Sequence, residues 1–327
     1  MKIKKALFRY FSAGIITISL CVLVLQPGAA SDAVRESLMI CAGIIVPSLM
    51  PFFFISSIIS SMGFAEDISK ALRKPFKNMS APAAYACTPF ILSILGGYPV
   101  GAISIAELVK RDCISPKQAE KLLPFCNNTG PAFIIGAVGS GIFASGKAGL
   151  LLYLCHIAAA LILALIFLPA VSKMNSSFVE REQHCPKFST LLPECIKSTL
   201  NKCLSICGFV IFFAVLREIL SELGIITALA LSVNRILGLE IGACKSLIAG
   251  ITELGGGIAS MAGMELSRNS LALAAFILGF GSLSVHCQTL AVVSDANIKC
   301  ARHFVGRILH GALSALLIFV FYGIIKI

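Results

Sequence analysis

Two stretches decide the fold: SILGGYPVGAIS at 93–104 and TELGGGIASMAG at 252–263. Each sets adjacent glycines, Gly96-Gly97 and Gly255-Gly256, in the middle of an apolar segment, 83–109 in one case and 243–264 in the other. Glycine opens backbone angles closed to other residues, and Pro99 suits the first turn of a helix that restarts after a break. The reading is a helix, a turn at the glycines and a second helix folded back beside the first. That is a re-entrant hairpin, and it occurs twice. Tight packing of an unbroken helix through small residues is the competing reading.

The surroundings are those of a membrane protein. The chain has 327 residues, 57% hydrophobic and 13% charged, with a mean hydropathy of +0.92, whereas a soluble domain carries about 25% charged residues. Further apolar runs cover 10–25, 38–62, 122–143, 149–171, 203–223, 271–293 and 304–325. Most approach the roughly 20 residues that a helix needs to cross a bilayer. This composition excludes a disordered chain, a disulfide scaffold and an ordinary soluble globule, and no ten-residue alternation suggests a barrel. The thirteen cysteines are scattered, mostly inside apolar runs, without a CxxC pair or metal-ligand spacing. They read as small buried thiols. Neither a nucleophile elbow, a Walker motif nor HExxH is present. The chain is therefore expected to have no catalytic residues, no metal and no cofactor, and not to be an enzyme.

Positive charge sets the orientation. If both glycine-broken segments return to the side they enter from, 19 of the 27 Lys and Arg residues fall on one face: the N-terminus, 64–81, 108–122, 172–202 and 293–303. Arg35, Lys147, Arg235, Lys245, Arg268 and Lys326 fall on the other. By the positive-inside rule the first face is cytoplasmic, and the N-terminus with it. The basic run Lys2, Lys4, Lys5 and Arg9, followed by apolar residues and Gly28-Ala29-Ala30, resembles a signal peptide. The apolar run is long for a signal core, and a retained first helix is the preferred reading. Two amphipathic stretches, around Phe64, Ile68, Leu72 and Phe76 and around Ile225, Leu229, Val233 and Ile236, read as helices lying in the membrane interface.

The halves resemble each other. Beyond the glycine pairs, FCNNTGPA at 125–132 matches GFGSLSVH at 279–286, an offset of 154 residues that also places His156 opposite His310. With the charge-derived topology the two units are inverted. The domain reading is an N-terminal helix and outer loop at 1–37, a first repeat at 38–171, a polar, loop-like cytoplasmic linker at 172–202 and a second, inverted repeat at 203–327. The fold class is an all-α polytopic membrane protein with two re-entrant hairpins, transporter-like. In such folds the binding site forms where the broken helices of the two repeats meet.

The residues expected there are the polar interruptions of apolar spans. Asn127, Asn128 and Thr129 supply donors and acceptors suited to a neutral polar ligand, and Pro131 marks an unwound point. Ser282, Ser284 and Gln288 interrupt the matching span. Glu253 is the lone carboxylate of the second hairpin, and an intramembrane acid is costly unless paired, protonated or hydrated. Proton or cation coupling, a bond to a ligand hydroxyl, and a structural pair with Arg217 or Arg307 all remain open for it. Gly96, Gly97, Gly255 and Gly256 complete the ligand-binding set. An interhelical clasp is the competing role for the two asparagines. His156 and His310 read as buried, hydrogen-bonded histidines.

SILGGYPVGA (93–102), FCNNTGPAFIIG (125–136), GITELGGGIA (250–259) and GFGSLSVHCQ (279–288) together resemble the sporulation integral membrane proteins of the YlbJ type, in the nucleoside-recognition or Gate-domain group. The likeness spans about 38–325. It implies an inner-membrane protein of an endospore-forming bacterium, needed for spore formation and permease-like toward a small polar solute. A non-transporting membrane assembly or structural factor is the alternative. The partners implied are the lipid bilayer, the solute with a coupling ion, and further copies of the chain in a homo-oligomer; nucleic acid is not among them.

Overall fold

In the computed structural model, which describes residues 14, 17, 20–62, 71, 80–172 and 188–323, both glycine-broken segments are helix–break–helix units folded back on themselves. In the first, α3 (Ala81–Gly96) and α4 (Val100–Lys110) flank Gly97-Tyr98-Pro99. Ser93 lies so close to Gly101 across the pair that a Cβ on Gly101 would sit 2.7 Å from its own Cβ. In the second, α9 (Ile241–Thr252) and α10 (Leu254–Ala259) meet at Glu253. Gly250 packs on Gly257 there, and the Ser260 hydroxyl donates to that of Ser246 at 2.9 Å.

The second break therefore falls at Glu253, in extended backbone (φ −144°, ψ 130°), not at Gly255-Gly256. Those glycines form the first turn of α10. The physical reason is that the Glu253 side chain caps the new helix, accepting from Gly255 N–H at 2.7 Å and from Gly256 N–H at 2.5 Å. Such a cap satisfies donors that a helix start leaves open.

The remaining elements frame these hairpins. A continuous run joins α1 (Pro27–Ile40), a π-helical turn (Cys41–Ile45) and α2 (Val46–Ser61). Gly28-Ala29-Ala30 is thus helical. After α5 (Pro116–Leu122) the chain unwinds through 123–130 and resumes as a π-helix at Ala132–Ile142, which packs on α6 (Gly146–Ser172). A Cβ on Gly139 would lie 2.3 Å from Gly149 Cα, so only two glycines permit that contact. The expected span at 122–143 is accordingly broken where Asn127 to Pro131 interrupt it. The span at 271–293 is broken too, at Gly281 (φ +92°), between α11 (Arg268–Phe280) and α12 (Ser282–Val293).

The linker reading of 172–202 needs correcting over its second half. Residues from Phe188 onward belong to α7 (Phe188–Glu222). The polar composition of 188–202 conceals a buried stripe of Leu191, Cys195, Thr199, Cys203 and Ile206 at helical spacing. Pro193 lies in the second turn, where it removes one hydrogen bond and leaves the rest of the helix intact. The interfacial stretch at 225–237 is the helix α8 (Ile225–Leu237), set off by left-handed Gly224 and Gly238 and bent 119° from α9. The stretch at 64–77 falls outside the described residues but for Ala71. A 3-10 turn (Ser294–Ala296) leads to α13 (Ala301–Phe321).

Among the described residues four helical stretches are long and apolar enough to cross a membrane: Gly146–Ala170, Ser189–Glu222, Arg268–Ala296 and Ala301–Phe321. The bent α8–α9 pair would be a fifth. The chain is a multi-pass helical membrane protein. Leu165, Leu204 and Val24 are among its large exposed apolar side chains, as a lipid-facing surface requires. Two packed groups emerge: α1, the 41–45 turn, α2 and α7 on one side, and the hairpins with α6 and α11–α13 on the other.

Candidate functional site

Between these groups lies a cavity of about 130 Å³ at which both hairpin breaks arrive. A single water needs only about 10–15 Å³ measured this way, so several waters or a small solute fit. One wall comes from α1, α2 and α7 and is mostly apolar, with Leu49, Phe52, Ile206 and Val210. The opposite wall holds the polar groups: Tyr98, Thr129, Glu253, Ser284 and Gln288. Arg217 reaches in from α7, and Glu36 and Ser37 from α1.

Backbone proximity shapes the polar wall. Gly97 takes φ +79°, and a Cβ there would stand 3.0 Å from Gly130 N, so at this point the first hairpin tip rests on the unwound 125–131 segment backbone against backbone. One turn on, a Cβ at Gly101 would come within 1.6 Å of the Cys126 carbonyl oxygen.

Of the residues expected from the sequence, Gly96, Gly97, Thr129, Glu253, Gly255, Gly256, Ser284 and Gln288 line this cavity. Gln288 donates to the Ser284 hydroxyl at 3.3 Å. Asn127, Asn128 and Ser282 do not line it, and each has no exposed surface. Asn127 donates its amide to the Thr289 hydroxyl at 3.0 Å, joining the two polar breaks. Asn128 donates to Ser93 Oγ at 2.9 Å and to the Phe125 carbonyl at 2.8 Å, tying the first hairpin to the unwound segment. Ser282 turns its hydroxyl onto Val285 N–H and caps the start of α12. The two asparagines thus act as clasps beside the cavity, and Ser282 as a local cap.

Glu253 is 5% exposed, and its two oxygens are taken by the tip amides. Arg217 lies against that tip: a Cβ on Gly256 would meet its guanidinium at 2.1 Å. Yet the Arg217 Nε has no hydrogen-bond partner. Arg307, the other cation considered for Glu253, makes its contacts elsewhere. It donates to the Asn127 carbonyl at 2.8 Å, to Tyr98 Oη and to the Gly279 carbonyl.

Sequence reasoning weighed Arg307 only as a partner for Glu253 and missed the buried stripe it belongs to. His303, Arg307, His310 and Ser314 recur at helical spacing along α13 and are all fully buried. Polar residues at i, i+4, i+7 and i+11 in an apolar span were the available signal. His156 and His310, paired by the 154-residue offset, have ring centroids 4.3 Å apart. Thr129 N–H donates to His156 Nε2 at 3.1 Å, and His310 Nε2 donates to the His156 carbonyl at 2.9 Å. Among the described residues no cluster of His, Cys, Asp or Glu suited to a metal ion occurs.

No family model matches the chain. Among solved structures it is similar to CNTnw in an inward-facing substrate-bound state, with 15% identity and a TM-score of 0.46, covering 96% of this chain and 84% of that one. Among curated proteins it is similar to the sporulation integral membrane protein YlbJ of Bacillus subtilis (strain 168). The two are 25% identical over 327 residues, which takes in 90% of this chain and 78% of the relative.

Proposed function

We propose that the chain is a permease-like protein of the inner membrane, acting in endospore formation, that binds a small polar solute between its two hairpin tips. The observation that carries this reading is the convergence of both helix breaks, Thr129, Ser284, Gln288 and Glu253 on one cavity. Broken helices leave backbone groups that lipid cannot satisfy, and folds keep such breaks inside a membrane where they line a polar cavity or are buried in protein. Arg217, which lines the cavity beside the Glu253 tip and whose Nε has no hydrogen-bond partner, adds an intramembrane cation at the site. The sporulation role rests on the likeness to YlbJ.

The N-terminus faces the cytoplasm on the strength of the Lys and Arg bias, and the two units are then inverted. Contact between His156 and His310 supports that reading, since equivalent residues meet where related units share an axis. The protein works without a catalytic step of its own. Glu253 is the group through which a coupled proton or cation would act. The clasps made by Asn127 and Asn128 favour the second reading, a membrane assembly factor that keeps the architecture without transport.

Thermal-shift screening of the purified full chain against nucleosides, amino acids and small carboxylates including dipicolinate separates the two. A concentration-dependent rise in melting temperature for one class, lost in Arg217→Ala, supports the permease. A flat response across the panel supports the assembly factor.

A further inference from the structure

We propose that Arg307 is the positioning residue of the cavity's polar wall: one buried guanidinium fork that holds the first hairpin tip, the unwound 125–131 segment and the helix break at Gly281 as a single unit. This rests on the solute-site reading above only for what is being positioned.

Arg307 has no exposed surface, and among the described residues no carboxylate pairs with it. A charge so placed is costly unless it is well hydrogen-bonded. Its Nε has no hydrogen-bond partner, and its two terminal nitrogens donate to four separate places. Nη1 donates to the Asn127 carbonyl at 2.8 Å and to His310 Nδ1 at 2.6 Å. Nη2 donates to Tyr98 Oη and to the Gly279 carbonyl. The guanidinium also lies 5.2 Å from the centroid of the Tyr98 ring, within cation–π range.

These acceptors are not arbitrary. Gly279 lies in the last turn of α11, just before the break at Gly281, and a helix end leaves its last carbonyls unpaired and carries partial negative charge. Leu278, one residue earlier, accepts from both Tyr98 Oη at 3.0 Å and Thr129 Oγ1 at 3.1 Å. Asn127 is the matching break in the other half. Arg307 therefore supplies, from one planar group, the donors that both breaks lack.

The same fork fixes proton positions around it. Arginine can only donate, so His310 Nδ1 accepts and its proton sits on Nε2, which donates to the His156 carbonyl. His156 Nε2 in turn accepts from Thr129 N–H, so its proton sits on Nδ1. Tyr98 and Thr129, both on the cavity wall, are thereby tied to Arg307, one directly and one through two histidines. The second hairpin tip receives nothing from this network, its carboxylate being spent on its own amides.

Arginine is required by geometry. A lysine ammonium keeps the charge but presents its three donors from a single point and cannot span acceptors on three elements. Hydrogen exchange of the full chain in nanodiscs, followed by mass spectrometry, tests this without any solute, so its outcome is independent of whether transport is found. In Arg307→Lys, amides of 94–100, 125–131 and 278–284 should exchange at least about tenfold faster, while 203–217 and 241–252 stay within about twofold of wild type. A purely structural charge would be rescued by lysine, and a purely local role would raise exchange in 301–321 alone. Either of those patterns, or a uniform rise along the chain, overturns the proposal. Should Arg307→Lys fail to accumulate, Tyr98→Phe removes one acceptor only. It should quicken 94–100 and 278–284 and spare 241–252, and wild-type exchange in both quickened segments would equally overturn the proposal.

Discussion

Replacing Glu253 with alanine should destabilise the protein through the hairpin tip, by an amount the structure allows to be worked out. The carboxylate accepts from Gly255 N–H at 2.7 Å in a part-buried setting and from Gly256 N–H at 2.5 Å in a buried one. A hydrogen bond to a charged group contributes about 1.5–3 kcal/mol, and an orphaned buried donor costs about 1–3 kcal/mol. Water recovers part of the loss at Gly255, so Glu253→Ala should cost roughly 2–4 kcal/mol. At about 2 °C per kcal/mol for a chain of this size, the melting temperature in detergent should fall by roughly 4–8 °C. Glu253→Gln keeps one acceptor and turns an amide N–H toward the other donor, so it should fall about half as far. The assay is thermal unfolding of the purified variants, with membrane abundance measured alongside. A melting temperature for Glu253→Ala within about 1 °C of wild type, or a larger loss in Gln than in Ala, would refute the capping argument. Under the coupling role, Glu253→Gln also loses transport while the folded protein still reaches the membrane.

Other substitutions separate cavity from clasp. Gly101→Ala would force a Cβ to within 1.6 Å of the Cys126 carbonyl oxygen, so folded protein should be largely lost from membranes, which immunoblotting of membrane fractions would register. Asn127→Ala removes the bond to Thr289 and should lower stability by about 1 kcal/mol without altering any solute-induced thermal shift. Arg217→Ala should remove the shift while lowering the melting temperature less than Glu253→Ala does, because its Nε makes no hydrogen bond. Cys185, in the basic stretch 172–202, should react with an impermeant thiol reagent only from the cytoplasmic side; labelling from outside alone would reverse the topology.

Much of the architecture was legible because bilayer chemistry writes strong signals. Long uncharged runs marked the helices, and glycine pairs marked both hairpins, since a backbone cannot reverse inside lipid at residues of any type. The second break was misplaced by two residues because its cause is a side chain, the Glu253 carboxylate capping Gly255 and Gly256, and glycine pattern alone does not report a cap. The start of α7 was hidden because its polar residues drew the eye from the buried Leu191–Cys195–Thr199 stripe. In the site, polarity in an apolar span identified residues that matter but could not separate the lining from the clasps. Thr129 and Asn127 lie two positions apart, and one faces the cavity while the other is locked to Thr289. Arg307 was weighed only as a partner for Glu253, and its actual role was missed because two of its partners are backbone carbonyls 180 and 28 residues away, contacts that no spacing rule encodes.

Uptake into proteoliposomes tests the central claim most directly. Vesicles carrying the wild-type chain should accumulate one labelled member of the solute panel saturably above empty vesicles. Vesicles carrying equal amounts of folded Arg217→Ala should not. Uptake by wild-type vesicles that never exceeds the empty control for any panel member, or uptake that Arg217→Ala leaves untouched, would contradict a solute site between the hairpin tips.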